Sequence, residues 1–400
     1  MPENKVITDT IWIEELLTRG VEAIFPNKQA LANVLQSGKR LRIYVGVDPT
    51  GPTLHIGHAI PLSKLGQFQK GGHQIIFLVG DFTAMIGDPT DKTAARKKLT
   101  KEEVQLNLTH YIDQARNFLS FEGENKAEVR YNSEWLAKMN FSEVLELCSL
   151  MTVDQMLKRD MFAKRVEENK PIFIHEFMYP LMQGYDSVAL DVDLEIGGND
   201  QTFNMLAGRD LSRSITGKEK FVLTTKLLVD GQGKKMGKTE GNAVSLHMTA
   251  EEMFGRVMSW ADSLIIPGFE LCTDVALAEI ASHQQQLAAG SNPRDSKLAL
   301  ARAIVTKFKG SGEGERAEKV YIATFSEKGF PEIIQTVSRT EEKLSEILIR
   351  EGLIDSKSEF KRLVDEGAIT HEDGQVVSSL GEVPCLGAYR IGKKRFIKFK

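Results

Sequence analysis

Two hydrophobic rhythms alternate along the first eighty residues. The run Leu41-Arg42-Ile43-Tyr44-Val45-Gly46-Val47 is β-branched and aromatic and stops at the turn formers Asp48-Pro49-Thr50-Gly51-Pro52, which predicts a strand entering a sharp turn. Beyond it, His55 to Lys70 carries apolar residues at Ile56, Ile60, Leu62, Leu65 and Phe68, close to helical spacing, and Gly71-Gly72 closes the helix. Pro61 fits that helix only near its start, where a missing N–H costs little. Gln74-Ile75-Ile76-Phe77-Leu78-Val79 is apolar without alternation, as in a strand buried on both faces of a parallel sheet. Strand, helix, strand with short connections is a βαβ unit, and the predicted fold class is α/β.

Farther on the rhythm is helical over 101–121, 141–150, 153–168 and 174–184. Residues 188–192 read as a strand, and Asp193 to Gly198 as a turn leading into another helix. Phe221 to Val229 leads into a glycine- and lysine-rich loop, 230–241. From 249 to 325 the chain reads as helices interrupted at Pro267 and at Gly310-Ser311-Gly312-Glu313-Gly314. The stretch 326–340 is the linker candidate, and 341–400 a small mixed module with helices near Leu344–Leu348 and Ser356–Asp365 before short β segments. No internal repeat is evident.

Composition narrows the class. The 400 residues are 42% hydrophobic and 26% charged, which suits a globular chain of two or three domains and excludes collagenous or low-complexity architectures. With 51 Lys plus Arg against 55 Asp plus Glu, nucleic-acid binding must come from local patches. Cys148, Cys272 and Cys385 lie far apart, against a disulfide framework or zinc site and for a reducing compartment. The polar first ten residues lack a signal-peptide pattern, and no apolar run approaches the ~18 residues of a membrane span. The expectation is a soluble, cytoplasmic protein with no membrane association.

Candidate chemistry lies in two places. Pro49 to His58 forms a turn at the carboxyl end of a strand, where open α/β sheets bind ligands. His55 and His58 share one side of the first helical turn, and a helix N-terminus offers N–H groups and partial positive charge to phosphate. Gly57 between them admits a flat ring close to the backbone. Far downstream, Gly233-Lys234-Lys235-Met236-Gly237-Lys238-Thr239 is a cationic loop suited to gripping a polyphosphate. The four-then-three spacing of Tyr179, Gln183 and Asp186 puts them on one helix face, toward one ligand. No metal-ligand cluster is present in the sequence pattern.

His55-Ile56-Gly57-His58 together with Lys235-Met236-Gly237-Lys238-Thr239 resembles the HIGH and KMSKS signatures of class I aminoacyl-tRNA synthetases. The stretches Tyr44-Val45-Gly46-Val47-Asp48-Pro49-Thr50, Ile86-Gly87-Asp88-Pro89, Tyr179 to Asp186 and Gly197-Gly198-Asn199-Asp200-Gln201 narrow the resemblance to the bacterial-type tyrosyl-tRNA synthetases, over essentially the whole chain. Gly237 and Thr239 stand where the general signature has serines, and Glu195 where some relatives carry glutamine; Glu195 receives no role.

The resemblance implies a Rossmann-like parallel-sheet catalytic domain at 1–248, a helical anticodon-binding domain at 249–325, a linker at 326–340 and an S4-like RNA-binding domain at 341–400. It puts Tyr44 and Asp186 on the substrate phenol, an ionised carboxylate accepting the phenol proton, and Asp88, Tyr179 and Gln183 on the substrate ammonium. Thr50, His55 and His58 would meet ATP phosphates, with Gly46, Asp48, Gly198 and Asp200 completing the nucleotide site. Lys235 and Lys238 are the signature-loop lysines, and Lys92 and Arg96 match a loop that closes on departing pyrophosphate. The implied substrates are L-tyrosine, ATP with Mg²⁺ and tRNA(Tyr), with no metal held by the protein alone, and the implied assembly is a homodimer. The rival readings are another class I synthetase, chiefly the tryptophanyl one; a non-catalytic RNA-binding derivative; and a small-molecule adenylyltransferase.

The C-terminal end interleaves Arg390, Lys393, Lys394, Arg395, Lys398 and Lys400 with Tyr389, Phe396 and Phe399, a composition suited to RNA backbone contact and base stacking. Residues 341–400 hold 11 basic and 11 acidic side chains, so the module is polarised rather than basic.

Overall fold

The computed structural model describes residues 6–89, 99–229, 244–325, 334–392 and 395–400. Its contacts divide the chain into two units, residues 1–248 with 259–300, and residues 249–258 with 301–400.

The first unit is built on six strands: β1 (Val21–Phe25), β2 (Arg42–Val47), β3 (Gln74–Val79), β4 (Glu128–Tyr131), β5 (Leu194–Gly198) and β6 (Phe221–Thr225). Their order across the sheet is β1-β6-β5-β2-β3-β4, all parallel except the antiparallel edge strand β1. β2 pairs with β3 along its full length, Arg42 opposite Gln74 through Val47 opposite Val79. It pairs with β5 at two positions only, Ile43 with Leu194 and Tyr44 with Glu195. The chain runs outward from β2 to β3 and β4, then returns to place β5 on the other flank of β2. Beyond Tyr44 the two strands part, which opens a crevice at the switch point, where this architecture binds ligands. Ile43, Tyr44, Val45, Ile75, Ile76, Phe77, Leu78 and Val79 are buried, as the unbroken apolar runs require.

The helix Ile56–Lys70 carries Pro61 in its interior rather than its first turn. The predicted 101–121 helix is two shorter ones, Lys101–Leu108 and Tyr111–Ala115, and the 153–168 helix likewise divides into Val153–Leu157 and Asp160–Glu167. The largest correction falls at 184–198. The helix Ile174–Ala189 continues through Gly184 and absorbs the start of the expected 188–192 strand, and the strand is β5, where a turn was expected. Gly184 is required there by a crossing: a Cβ on it would lie 2.8 Å from Leu211 Cδ1 and 3.2 Å from the Gly208 Cα of the helix Thr202–Thr216. Pro267 sits inside the helix Ile265–Cys272 instead of ending one.

Beneath β2, His73 is fully buried and its Nδ1 accepts the Leu41 N–H at 3.2 Å, so the ring serves as a neutral acceptor. Burial, and secondarily Arg40, lower its pKa from 6.5 to about 4. The unfolded chain therefore takes up this proton first as pH falls, and stability is lost between about 6.5 and about 4 while remaining flat above. We expect the urea midpoint to drop from pH 7 to pH 4.5 by the equivalent of about 2–3 kcal/mol. That slope should flatten in His73→Gln, measured by denaturant titration at both pH values.

In the second unit, the helix Ala250–Met258 packs on Glu313–Phe325, with the Phe254 and Tyr321 rings 5.3 Å apart. Downstream, the helices Leu344–Arg350 and Lys357–Asp365 lie with a four-stranded sheet made of β7 (Thr336–Val337), β8 (Ile369–His371), β9 (Gly387–Ile391) and β10 (Arg395–Phe399), ordered β7-β10-β9-β8. Its core joins Leu344, Ile347, Leu348, Phe360, Ile391 and Ile397 with Tyr389 and Phe399. Burial withdraws those last two rings from the base stacking expected of them. Phe396 is half-buried under the Arg390 guanidinium, 5.8 Å from the ring centre, and Lys398 and Lys400 are exposed. Lys393 and Lys394 lie outside the described residues.

Candidate active site

A cavity of about 1070 Å³ occupies the crevice beyond the carboxyl ends of β2 and β5. Every described residue assigned above to tyrosine or ATP lines it: Tyr44, Gly46, Asp48, Thr50, His55, His58, Asp88, Tyr179, Gln183, Asp186, Gly198 and Asp200. Lys92, Arg96, Lys235 and Lys238 lie outside the described residues. The chain flanking those segments lies at or next to the cavity. Asp88 and Leu99 line it, Val229 lines it, and Val244 accepts the Ile56 N–H at 2.9 Å.

The two histidines form a reciprocal cap. His55 precedes the helix Ile56–Lys70 and its Nδ1 accepts the Gly57 N–H at 3.1 Å, while His58 Nδ1 accepts the His55 N–H at 3.2 Å. Each neutral ring therefore carries its proton on Nε2, as a donor. The ring centres stand 3.9 Å apart. The first-turn N–H groups are already taken, by Val244 O, His55 Nδ1 and the His55 carbonyl. This corrects the expectation of an open helix end for phosphate: the first-turn amides are capped, and what faces the cavity there is the pair of imidazoles.

Tyr44 and Asp186 are 1% and 3% exposed. The Tyr44 hydroxyl lies 2.9 Å from Ser187 Oγ, and burial with the Glu195 and Asp186 carboxylates pushes its pKa up. Asp186 Oδ1 accepts the Trp135 indole N–H at 2.8 Å, and Oδ2 the Asn132 amide at 3.3 Å. Burial nonetheless drives its carboxyl well above the ordinary carboxylate range, against those two hydrogen bonds. Burial thus works against the ionised form of Asp186 while the Trp135 and Asn132 hydrogen bonds work for it.

Tyr179, Gln183 and Asp186 do share the cavity face of one helix. Tyr179 donates to Asp48 Oδ2 at 2.7 Å, and Thr83 to Asp48 Oδ1 at 2.8 Å. A Cβ on Gly80 would lie 1.9 Å from Asp48 Oδ1, so the carboxylate holds its place only because residue 80 has no side chain. Gln183 donates to Glu195 at 3.3 Å and accepts from Asn204 at 2.8 Å. Asp88 accepts from Gln201 at 2.7 Å and from Arg159 at 3.5 Å.

Several groups that shape the site escape sequence reading. Asn132 and Trp135 follow β4, a strand with no apolar run to reveal it, though a polar stretch at the carboxyl end of a parallel strand is a usable signal. Glu195, left without a role above, forms part of the cavity wall.

Comparison with known proteins shows the family. The family model described as tRNA synthetases class I (W and Y) matches residues 36–326. The chain is 42% identical over 378 residues to a tyrosine–tRNA ligase of Symbiobacterium thermophilum, spanning 92% of each. It is also 42% identical over 387 residues to that of Haemophilus ducreyi, spanning 96% of each. A C-terminally truncated mitochondrial tyrosyl-tRNA synthetase from Coccidioides posadasii superposes with a TM-score of 0.62 at 28% identity, over 77% of this chain and 91% of that one. The chain belongs to the class I aminoacyl-tRNA synthetases, in the family that serves tryptophan and tyrosine. Within it, the chain falls among the bacterial-type tyrosine–tRNA ligases.

Proposed function

We propose that this chain performs both half-reactions at the β2–β5 crevice. The L-tyrosine carboxylate attacks the α-phosphorus of ATP, which arrives as its Mg²⁺ complex, and pyrophosphate departs. A ribose hydroxyl at the 3′ end of tRNA(Tyr) then attacks the carbonyl carbon of the mixed anhydride, and AMP departs. No protein nucleophile is needed, because the substrate carboxylate is already ionised; catalysis is alignment plus charge stabilisation.

The observation that carries this reading is the meeting, in one cavity, of buried hydroxyl and carboxyl groups (Tyr44, Asp186) with two imidazoles in their Nε2–H form. The first pair suits a phenol and the second phosphate oxygens. Asp88, Tyr179 and Gln183 take the ammonium end, with Asp48 joined to Tyr179. Thr50, Gly46, Asp48, Gly198 and Asp200 serve the nucleotide. A volume of about 1070 Å³ accommodates both substrates together. Lys235, Lys238, Lys92 and Arg96 complete the pyrophosphate end.

The helical segment 249–325 and an S4-like module at 341–400, joined by the linker 326–340, then hold the tRNA. Exposed Lys398 on β10 and Lys400 just beyond it support RNA backbone contact better than base stacking. Large apolar side chains on neighbouring elements, Phe141, Val153, Val166 and Ile174, are exposed, and a homodimer would cover them. No helix among the described residues is long and apolar enough to cross a membrane, and the reading places the enzyme in the cytoplasm. Exchange of labelled pyrophosphate into ATP tests the function: we expect it to depend on tyrosine, and dependence on tryptophan instead would select the other branch of the family.

A further inference from the structure

From the cavity wall inward runs a charged cluster that the two half-reactions leave unused. Lys220, just before β6, is 1% exposed; its Nζ donates to Ser187 Oγ at 2.7 Å and forms an ion pair with Glu195 Oε2. Glu195, on β5, is 2% exposed and accepts from Ser187 Oγ at 3.3 Å. Space for the ammonium depends on Gly208, where a Cβ would lie 2.8 Å from Lys220 Nζ and 2.9 Å from Ser187 Oγ. A lysine and a glutamate this deeply buried are costly to place, and packing alone would be met by apolar residues of similar volume.

Counting protons gives the cluster a purpose. Lys220 has only donors, so it fills one lone pair of Ser187 Oγ. Glu195 Oε2, paired with Lys220, also lies 3.3 Å from Ser187 Oγ and accepts the Ser187 proton. Ser187 then has one lone pair left, facing the Tyr44 hydroxyl 2.9 Å away. Tyr44 must donate into it or to Glu195 beside it, and burial together with those carboxylates opposes loss of that proton. With its only proton turned into the cluster, Tyr44 shows the cavity an oxygen that accepts.

Building on the tyrosine reading above, we propose that Lys220, through Glu195 and Ser187, is a positioning residue that fixes Tyr44 as a hydrogen-bond acceptor, so that the pocket requires an amino acid whose ring carries a donor. Lys220 itself touches no substrate. Its removal frees Ser187 and Tyr44 to turn their protons either way, and a ring without a hydroxyl no longer leaves an oriented acceptor unmatched.

The test uses the full chain in tyrosine- and phenylalanine-dependent pyrophosphate exchange, with thermal melting alongside. In Lys220→Met the KM for tyrosine should rise about tenfold, the loss of one oriented hydrogen bond, with kcat within about twofold. The tyrosine-to-phenylalanine ratio of kcat/KM should fall by a similar factor. Because Lys220→Met strands a buried carboxylate, the paired variant Lys220→Met with Glu195→Gln removes both charges. It should melt near the wild-type temperature yet keep the weakened discrimination. A paired variant that folds and retains the wild-type KM and ratio would overturn the proposal, leaving Lys220 a structural group. Wild-type protein lacking tyrosine-dependent exchange would instead overturn the tyrosine reading, and this proposal with it.

Discussion

Asp186→Ala is expected to weaken tyrosine binding on the order of 100-fold or more while the protein stays folded. The argument begins with burial: the carboxyl is 3% exposed and fixed by the Trp135 indole at 2.8 Å and the Asn132 amide at 3.3 Å, leaving it aimed at the cavity beside Tyr44. Alanine deletes the ligand's partner, about 1.5–3 kcal/mol for a hydrogen bond to a charged group and less for a neutral one. It also leaves the Trp135 and Asn132 donors facing an apolar methyl, which disorders the pocket floor. Water entering the vacated space re-satisfies those donors, so the fold survives at a cost of about 1–3 kcal/mol. Titration calorimetry with tyrosine, paired with a melting curve, reads both quantities. Unchanged affinity would remove Asp186 from the site.

The second large effect is kinetic. Lys238→Ala should slow adenylate formation by about 10²–10³-fold, the usual consequence of deleting one donor aimed at charge that grows in the transition state. Tyrosine affinity should stay within about twofold, since the proposed role of the lysine is to meet the leaving pyrophosphate rather than the amino acid. The residue lies outside the described segments; on one side of them Val229 lines the cavity, and on the other Val244 accepts a hydrogen bond from Ile56, next to His55. Pre-steady-state measurement separates the two quantities, and equal losses in rate and affinity would contradict a transition-state role.

What the sequence disclosed, and what it hid, follows from whether the signal was local. β2 and β3 are unbroken apolar runs because both faces of the central strands are covered, so they were legible. β5 was not. Its Leu-Glu-Ile-Gly-Gly places a charge and two glycines where a central strand normally has β-branched residues, and it reads as a turn. The strand tolerates Glu195 because Lys220 meets it from a distant position, a pairing no window along the chain reveals. Gly184 likewise looked like a helix end but marks the crossing with Gly208. The histidine pair and the Tyr179–Gln183–Asp186 face were legible from helical spacing. Assignment of a phenol and a nucleotide to them came from resemblance to a family. Asn132 and Trp135, which hold Asp186, became visible only when β4 brought them beside it.

The central proposal places an amino-acid ring against Tyr44 and Asp186 in one cavity while His55 and His58 meet phosphate. A crystal structure of the full chain with a non-hydrolysable tyrosyl-adenylate analogue tests that most directly. The expected density puts the phenol oxygen within hydrogen-bond distance of Tyr44 and Asp186, and the phosphate oxygens against the imidazole Nε2 atoms. Density for the ring elsewhere, or imidazoles turned away from the phosphate, would contradict it.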